Sequence, residues 1–169
     1  MKLFLSITFC ALFSFAAFAA DDAKSPSKYG AEFVKHWQIA KDLTLAVADA
    51  MPEADYGFKP NPEEMSFGEQ IAHIGAANYS YCARAGGGKS PYAKPDKLDK
   101  ATAMKIVGDS FNYCSEVISK LTDAQFDEVK GPMSVRELTE GVMVHMAHHR
   151  GQAEVYLRVK GVKPPTYKF

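Results

Sequence analysis

The chain is poor in the features that usually announce a function. Its 20 basic and 20 acidic residues cancel, so the charge balance does not point to a nucleic-acid partner. It holds only three cysteines, Cys10, Cys82 and Cys114. No Cys-x-x-Cys or Cys-x-x-Cys-His is present, which argues against thioredoxin-like chemistry and covalently attached haem. Gly86-Gly87-Gly88-Lys89-Ser90 lacks the first glycine of a phosphate-binding loop at the required spacing, and reads as a solvated loop. Glu-x-x-His pairs, the ligand pattern of di-iron bundles, are absent. There is no internal repeat and no strand-length alternation of apolar and polar residues.

The first twenty residues are distinctive. Lys2 precedes an almost wholly apolar run from Leu3 to Phe18, Ala17-Phe18-Ala19 fits a small-x-small cleavage site, and Asp21-Asp22 follow. This pattern predicts a secretory signal peptide over 1–19, cut after Ala19 or Ala20, and hence a periplasmic or secreted protein with no membrane association after cleavage. The run is slightly short for a retained membrane span. Cleavage would remove Cys10 and leave Cys82 and Cys114 in an oxidising compartment. The spacing leaves open whether they pair or remain two buried thiols.

Residues 20–32 read as a polar N-terminal tail and helix start, with Asp21 to Lys28 loose. The remainder, 33–165, reads as all-α: a four-helix bundle. Phe33, Trp37, Ala40, Thr44, Val47 and Met51 form one stripe of a helix from about Tyr29 to Met51. Ser66-Phe67-Gly68-Glu69 is a capping box opening a second helix to about Ala85. A third spans about Lys100 to Leu121, with Cys114 on its apolar stripe. Thr122-Asp123-Ala124-Gln125 caps a short turn near Phe126. Ser134-Val135-Arg136-Glu137 opens a fourth long helix to Lys160, where Gly161 and Pro164-Pro165 end it. The long connections permit crossovers, so a simple up-down-up-down order does not follow.

Three histidines fall within five residues in His145-Met146-Ala147-His148-His149. At about 100° per residue, Val135, Leu138, Val142, His145, His149, Gln152 and Tyr156 share one face, and His148 flanks it. His145 and His149, one turn apart, occupy seam positions and form a preformed pair for a metal ion. Met146 stands where a zincin would carry its Glu, so a built-in general base is missing. His73 on the second helix is the candidate third ligand. Alone it would be read more simply as a core or boundary histidine. Glu69 is explained by the capping box. His36 reads as a surface residue, and Arg150 as a surface salt-bridge residue outside the bundle. Gln152 and Tyr156 could orient water or substrate, although packing is the simpler account.

Three segments together carry a resemblance: Phe58-Lys59-Pro60, Ser66-Phe67-Gly68-Glu69-Gln70-Ile71-Ala72-His73, and His145-Met146-Ala147-His148-His149-Arg150-Gly151-Gln152. The chain resembles the DinB-like superfamily of metal-binding four-helix proteins. The resemblance implies a bundle of atypical helix order, a divalent ion (zinc or nickel among others) held by His73, His145 and His149 with open coordination positions, and frequent dimers. It implies no single reaction. A metal-dependent hydrolase or transferase acting on a small molecule is one reading, and a non-catalytic metal-binding or structural module is the other. Non-covalent haem held by a Met and a His is a weaker third. Export puts the thiol-transfer chemistry of some relatives in doubt.

Overall fold

The computed structural model describes residues 25–167. The signal-peptide reading therefore lies outside the described residues. Five helices run in order: α1 (Lys28–Ala50), α2 (Phe67–Ala85), α3 (Lys100–Ile118), the single turn α4 (Asp123–Phe126) and α5 (Val135–Val159). Each long helix begins at a side-chain cap. Ser66 and Ser134 make full capping boxes with Glu69 and Glu137, and Asp99 accepts from the Thr102 amide. These caps satisfy amide groups that the first helical turn leaves without intrahelical partners. At the far end of α5, Gly161 takes φ of 74° and the Val162 amide donates to the Leu157 carbonyl at 2.8 Å. A left-handed residue at this position is how many helices close, and glycine has no Cβ to oppose it.

The four long helices form a bundle in which α2 packs against α3 and α5, and α1 packs against the same two. Helices α1 and α2 are therefore diagonal, as are α3 and α5. Both diagonal connections are long because they must cross an end of the bundle. The core is continuous across all four. Trp37 is fully buried, its ring 4.5 Å from that of Phe111 and its indole N–H donating to the Phe111 carbonyl at 3.1 Å. Burying such a side chain contributes roughly 2–3 kcal/mol, and the hydrogen bond removes the cost of its polar atom. Helices α2 and α3 approach closely at Gly75, where a Cβ would fall 2.6 Å from the Ile106 side chain.

Cys82 and Cys114 form a disulfide that ties α2 to α3 with Cα atoms 5.3 Å apart. Of the two alternatives left open by spacing, pairing is the one found.

Three expectations are corrected. The fold starts before Tyr29: Ser27 is buried, caps α1, donates its hydroxyl to the Asp123 carboxylate, and its amide donates to the Leu121 carbonyl at 2.9 Å. A polar dipeptide read as tail is thus pinned by long-range partners. Helix α3 stops at Ile118, because the chain turns to deliver Leu121 and Thr122 to the α4 cap. A two-residue ribbon also exists, with β1 (Val129–Lys130) antiparallel to β2 (Met133–Ser134) around Gly131, whose φ is 73°. Two residues per strand are too few for alternation to register in sequence. Among the described residues no helix is long and apolar enough to cross a membrane.

Candidate metal centre

The centre lies where α2 meets α5. The Ser66 capping box starts α2 and sets its rotation, which brings His73 round to the α5 face. Ser66 accepts from the Glu69 amide at 3.2 Å while the Glu69 carboxylate accepts from the Ser66 amide at 2.6 Å. Glu69 is further drawn outward by Lys59 at 3.7 Å. It is the cap of the helix, as its position suggested.

His73, His145 and His149 converge. Their ring centroids are 5.0 Å (His73–His145), 4.5 Å (His73–His149) and 4.5 Å (His145–His149) apart. One nitrogen from each lies within 4.8 Å of the others, and all three rings are half-buried. Nitrogens around a tetrahedral zinc at the usual bond length are separated by roughly 3.3 Å. The cluster lies within a small side-chain rotation of that spacing.

The electrostatics favour neutral rings. Burial lowers the pKa of His73. Burial also lowers that of His145, with His73 and His148 adding to the effect. His149 falls to about 4, through burial first and then the neighbouring imidazoles. Three uncharged imidazoles therefore face one another at neutral pH, each with a lone pair to give. A shared cation suits this arrangement better than shared protons, which would repel. The Nδ1 atom of His145 is buried without a hydrogen-bond partner. An orphaned nitrogen of that kind fits a site built for an ion.

Among the described residues no cysteine or carboxylate joins this group. Among the described residues both cysteine sulfurs, of Cys82 and Cys114, are consumed in the disulfide. The donor set is three imidazoles, which leaves at least one position of a four-coordinate ion without a protein ligand. Beside the centre, a cleft of about 330 Å³ opens between α2 and the 86–99 loop, bounded by Met65, Glu69, His73, Tyr92, Lys94 and Leu98.

One residue escaped the sequence reading. Gln70 is 1% exposed, and its carbonyl oxygen is 2.8 Å from His149 Nδ1. Its amide nitrogen faces the Tyr156 hydroxyl at 3.4 Å, and that hydroxyl donates to the Met65 carbonyl at 2.9 Å. An amide oxygen can only accept, so His149 carries its proton on Nδ1 and leaves Nε2 bare for an ion. The signal was available: a glutamine one turn before His73, in a run otherwise buried as Phe67, Ile71 and Ile74.

Of the other candidates, His36 and Arg150 differ from expectation, and His148 and Tyr156 keep to the simpler reading. Tyr156 is buried and spends its hydroxyl holding Gln70, so it orients a histidine partner rather than water. Gln152 is half-buried beside His149, and a side-chain hydrogen bond between the two opposes the burial that lowers the His149 pKa. His148 is exposed and outside the cluster. His36, expected at the surface, is half-buried and lines a separate cavity between α1 and α5. Arg150, expected in a surface salt bridge, is buried and lines that same cavity.

The molecule is a helical bundle with a three-imidazole cluster between its second and last long helices, a group that could hold a metal ion. The family model described as "DinB superfamily" matches residues 36–153, a span that includes all three histidines. The chain belongs to the DinB superfamily. Two solved structures share its fold. One is a DinB-like protein from Bacillus subtilis at 22% identity and a TM-score of 0.70, covering 81% of this chain and 98% of that one. The other is a DinB-like protein from Bacillus cereus at 19% identity and a TM-score of 0.70, covering 80% and 95%. No curated protein matches significantly.

Proposed function

We propose that this chain is an exported metal-dependent hydrolase or transferase of a small molecule, with a divalent ion, zinc or nickel, held by His73, His145 and His149. The convergence of three neutral imidazole nitrogens within 4.8 Å carries the reading. The open donor set favours chemistry over a purely structural ion, since a staple would be closed by a fourth protein ligand. A staple is also superfluous, because α2 and α5 already share a packed apolar interface. Export rests on the leader pattern of residues 1–19. The Cys82–Cys114 disulfide agrees with an oxidising compartment.

When bound, a divalent cation would supply Lewis acidity, lowering the pKa of a water molecule or of a substrate thiol. The protein's own groups do the rest. His73, His145 and His149 offer uncharged nitrogen. Gln70 keeps the His149 proton on Nδ1, and Tyr156 keeps Gln70 in place. The cleft beside His73 admits a small molecule, and Lys94 at its wall offers a positive charge to an anionic group.

The test is thermal unfolding of metal-stripped protein with and without added zinc or nickel. An ion bound only by the folded state stabilises it by about 2.7 kcal/mol at a hundredfold excess over Kd. A clear rise in Tm is expected, and an unchanged Tm with either ion would contradict the reading. The catalytic half is tested by turnover of p-nitrophenyl esters and of 1-chloro-2,4-dinitrobenzene with a thiol. Activity is expected from loaded protein only, and inactivity of the loaded protein on both would favour the non-catalytic module.

Gln70→Leu removes the acceptor from His149 at nearly constant volume. Zinc affinity, read by competition with a chromogenic chelator, should weaken about 10–100-fold, the usual loss when an outer partner of a ligating histidine is removed. Unaltered affinity would show that the tautomer is set by something else.

A further inference from the structure

Among the described residues Arg150 is the only charged side chain that is buried, at 8% exposure. Among the described residues no carboxylate lies within ion-pair distance of it, and Glu154 acts on it only as a nearby charge. Glu154, one turn along α5, is engaged with Arg158 at 3.7 Å. The guanidinium has two neighbours instead: the Met146 sulfur, 3.5 Å from Nη1, and the ring of Tyr167, whose centroid is 5.8 Å away. A thioether is a weak acceptor, and a guanidinium presents five N–H donors in a fixed fork. Most of that donor capacity is unmatched in a place where an unpaired charge is costly.

The same guanidinium borders a cavity of about 310 Å³ between α1 and α5. Ile39 and Ala40 supply the α1 wall, and Met143, Met146 and Ala147 the α5 wall. A second trough of about 380 Å³ shares His36 and Met143 with it and runs on past Phe33 toward Tyr29, with Glu32 and Glu140 on its walls, so it is too acidic to take a carboxylate. The first cavity alone is a mainly apolar slot, with His36 on its α1 wall and the buried Arg150 cation at its end. Flexible methionines line it, and such side chains adapt to varied apolar shapes. The slot lies on the α1 side of α5, whereas the histidine cluster lies on the α2 side.

We propose that this slot binds a small organic carboxylic acid, its carboxylate on the Arg150 fork and its apolar chain along Ile39, Met143 and Met146. One guanidinium neutralises one carboxylate in a bidentate pair whose geometry matches. A phosphate ester, with more than one negative charge, would bring an unmatched charge into an apolar slot. The unpaired arginine is explained because the ligand completes the ion pair. The proposal does not rest on the histidine centre holding an ion.

The test is calorimetric titration of the native protein with octanoate, octan-1-ol and octyl phosphate, repeated on metal-stripped protein and on Arg150→Met and Arg150→Lys. Octanoate is expected to bind once per chain, about 10–100-fold more tightly than octan-1-ol, the range of a charge-assisted hydrogen-bonded pair. Arg150→Met should lose that factor, Arg150→Lys should fall between, and stripping the metal should change nothing. In thermal unfolding, Arg150→Met should melt at or above wild type without the acid, and octanoate should raise the Tm of wild type alone. Equal octanoate affinity in wild type and Arg150→Met would overturn the proposal. So would tighter binding of octyl phosphate, or octanoate binding that disappears with the metal, which would place the acid at the histidine centre. If Arg150→Met fails to fold, Arg150→Lys decides: undiminished affinity contradicts the fork.

Discussion

His149→Ala protein is expected to purify with almost no divalent metal where wild type is expected to carry one ion per chain, with His145→Ala behaving the same way and His148→Ala retaining the wild-type content. The contrast rests on position along one helix. His145 and His149 are a turn apart, and each has its ring 4.5–5.0 Å from the other members of the cluster. His148 is as near to His149 as 4.9 Å by ring centroid, yet it is exposed and contributes no nitrogen to the group. Removing one of three ligands leaves a bidentate site, so the loss should exceed the roughly 10–100-fold expected when an outer partner is removed. Each variant should stay folded. The three rings are half-buried, and none belongs to the apolar core that holds the bundle together. Metal content by elemental analysis, with circular dichroism as the control for folding, checks this. Equal content in the three variants would refute the ligand choice.

The Cys82→Ala/Cys114→Ala double variant is expected to lose about 3–4 kcal/mol of stability while keeping any metal the wild type holds. The disulfide closes a segment with a sequence separation of 32 residues, including the proline-rich loop between α2 and α3. For a loop of that length the chain-entropy model gives a value in that range. In a domain of this size it corresponds to a fall in Tm of roughly 10 °C. Both sulfurs are inaccessible, at 1% and 0% exposure for Cys82 and Cys114. Reducing agent should therefore act slowly on native protein and quickly once denaturant opens it. Metal content should be preserved because no ligand comes from the loop, and Gly75 still lets α2 seat against α3. A double variant that melts with wild type would show that the helix packing alone sets the register.

How much was visible in the sequence depended on whether a residue's role was local. Caps at Ser66, Thr122 and Ser134 were legible because a hydroxyl and an acceptor three residues on satisfy each other within one turn. Gly161 was legible for the same reason. The histidine pair on α5 could be read from the wheel, and His73 followed from the resemblance and its place beside the Ile71/Ile74 edge. Roles set by distant partners were hidden. Ser27 looked like part of a tail because Leu121 and Asp123, which hold it, lie about ninety residues away. Gln70 drew no role from the sequence because its partners are on α5. Arg150 looked like a surface charge because an arginine on an amphipathic helix usually is one. Only the shallow packing between α1 and α5 encloses it. The disulfide likewise required knowing that α2 and α3 are neighbours.

The most direct test of the metal centre is a crystal of zinc-loaded protein with diffraction recorded on either side of the zinc absorption edge. The expected result is one anomalous peak about 2.0–2.1 Å from a ring nitrogen of His73, His145 and His149, with His149 ligating through Nε2 while its Nδ1 keeps Gln70. A peak at His148, or no peak within reach of His73, would contradict the account.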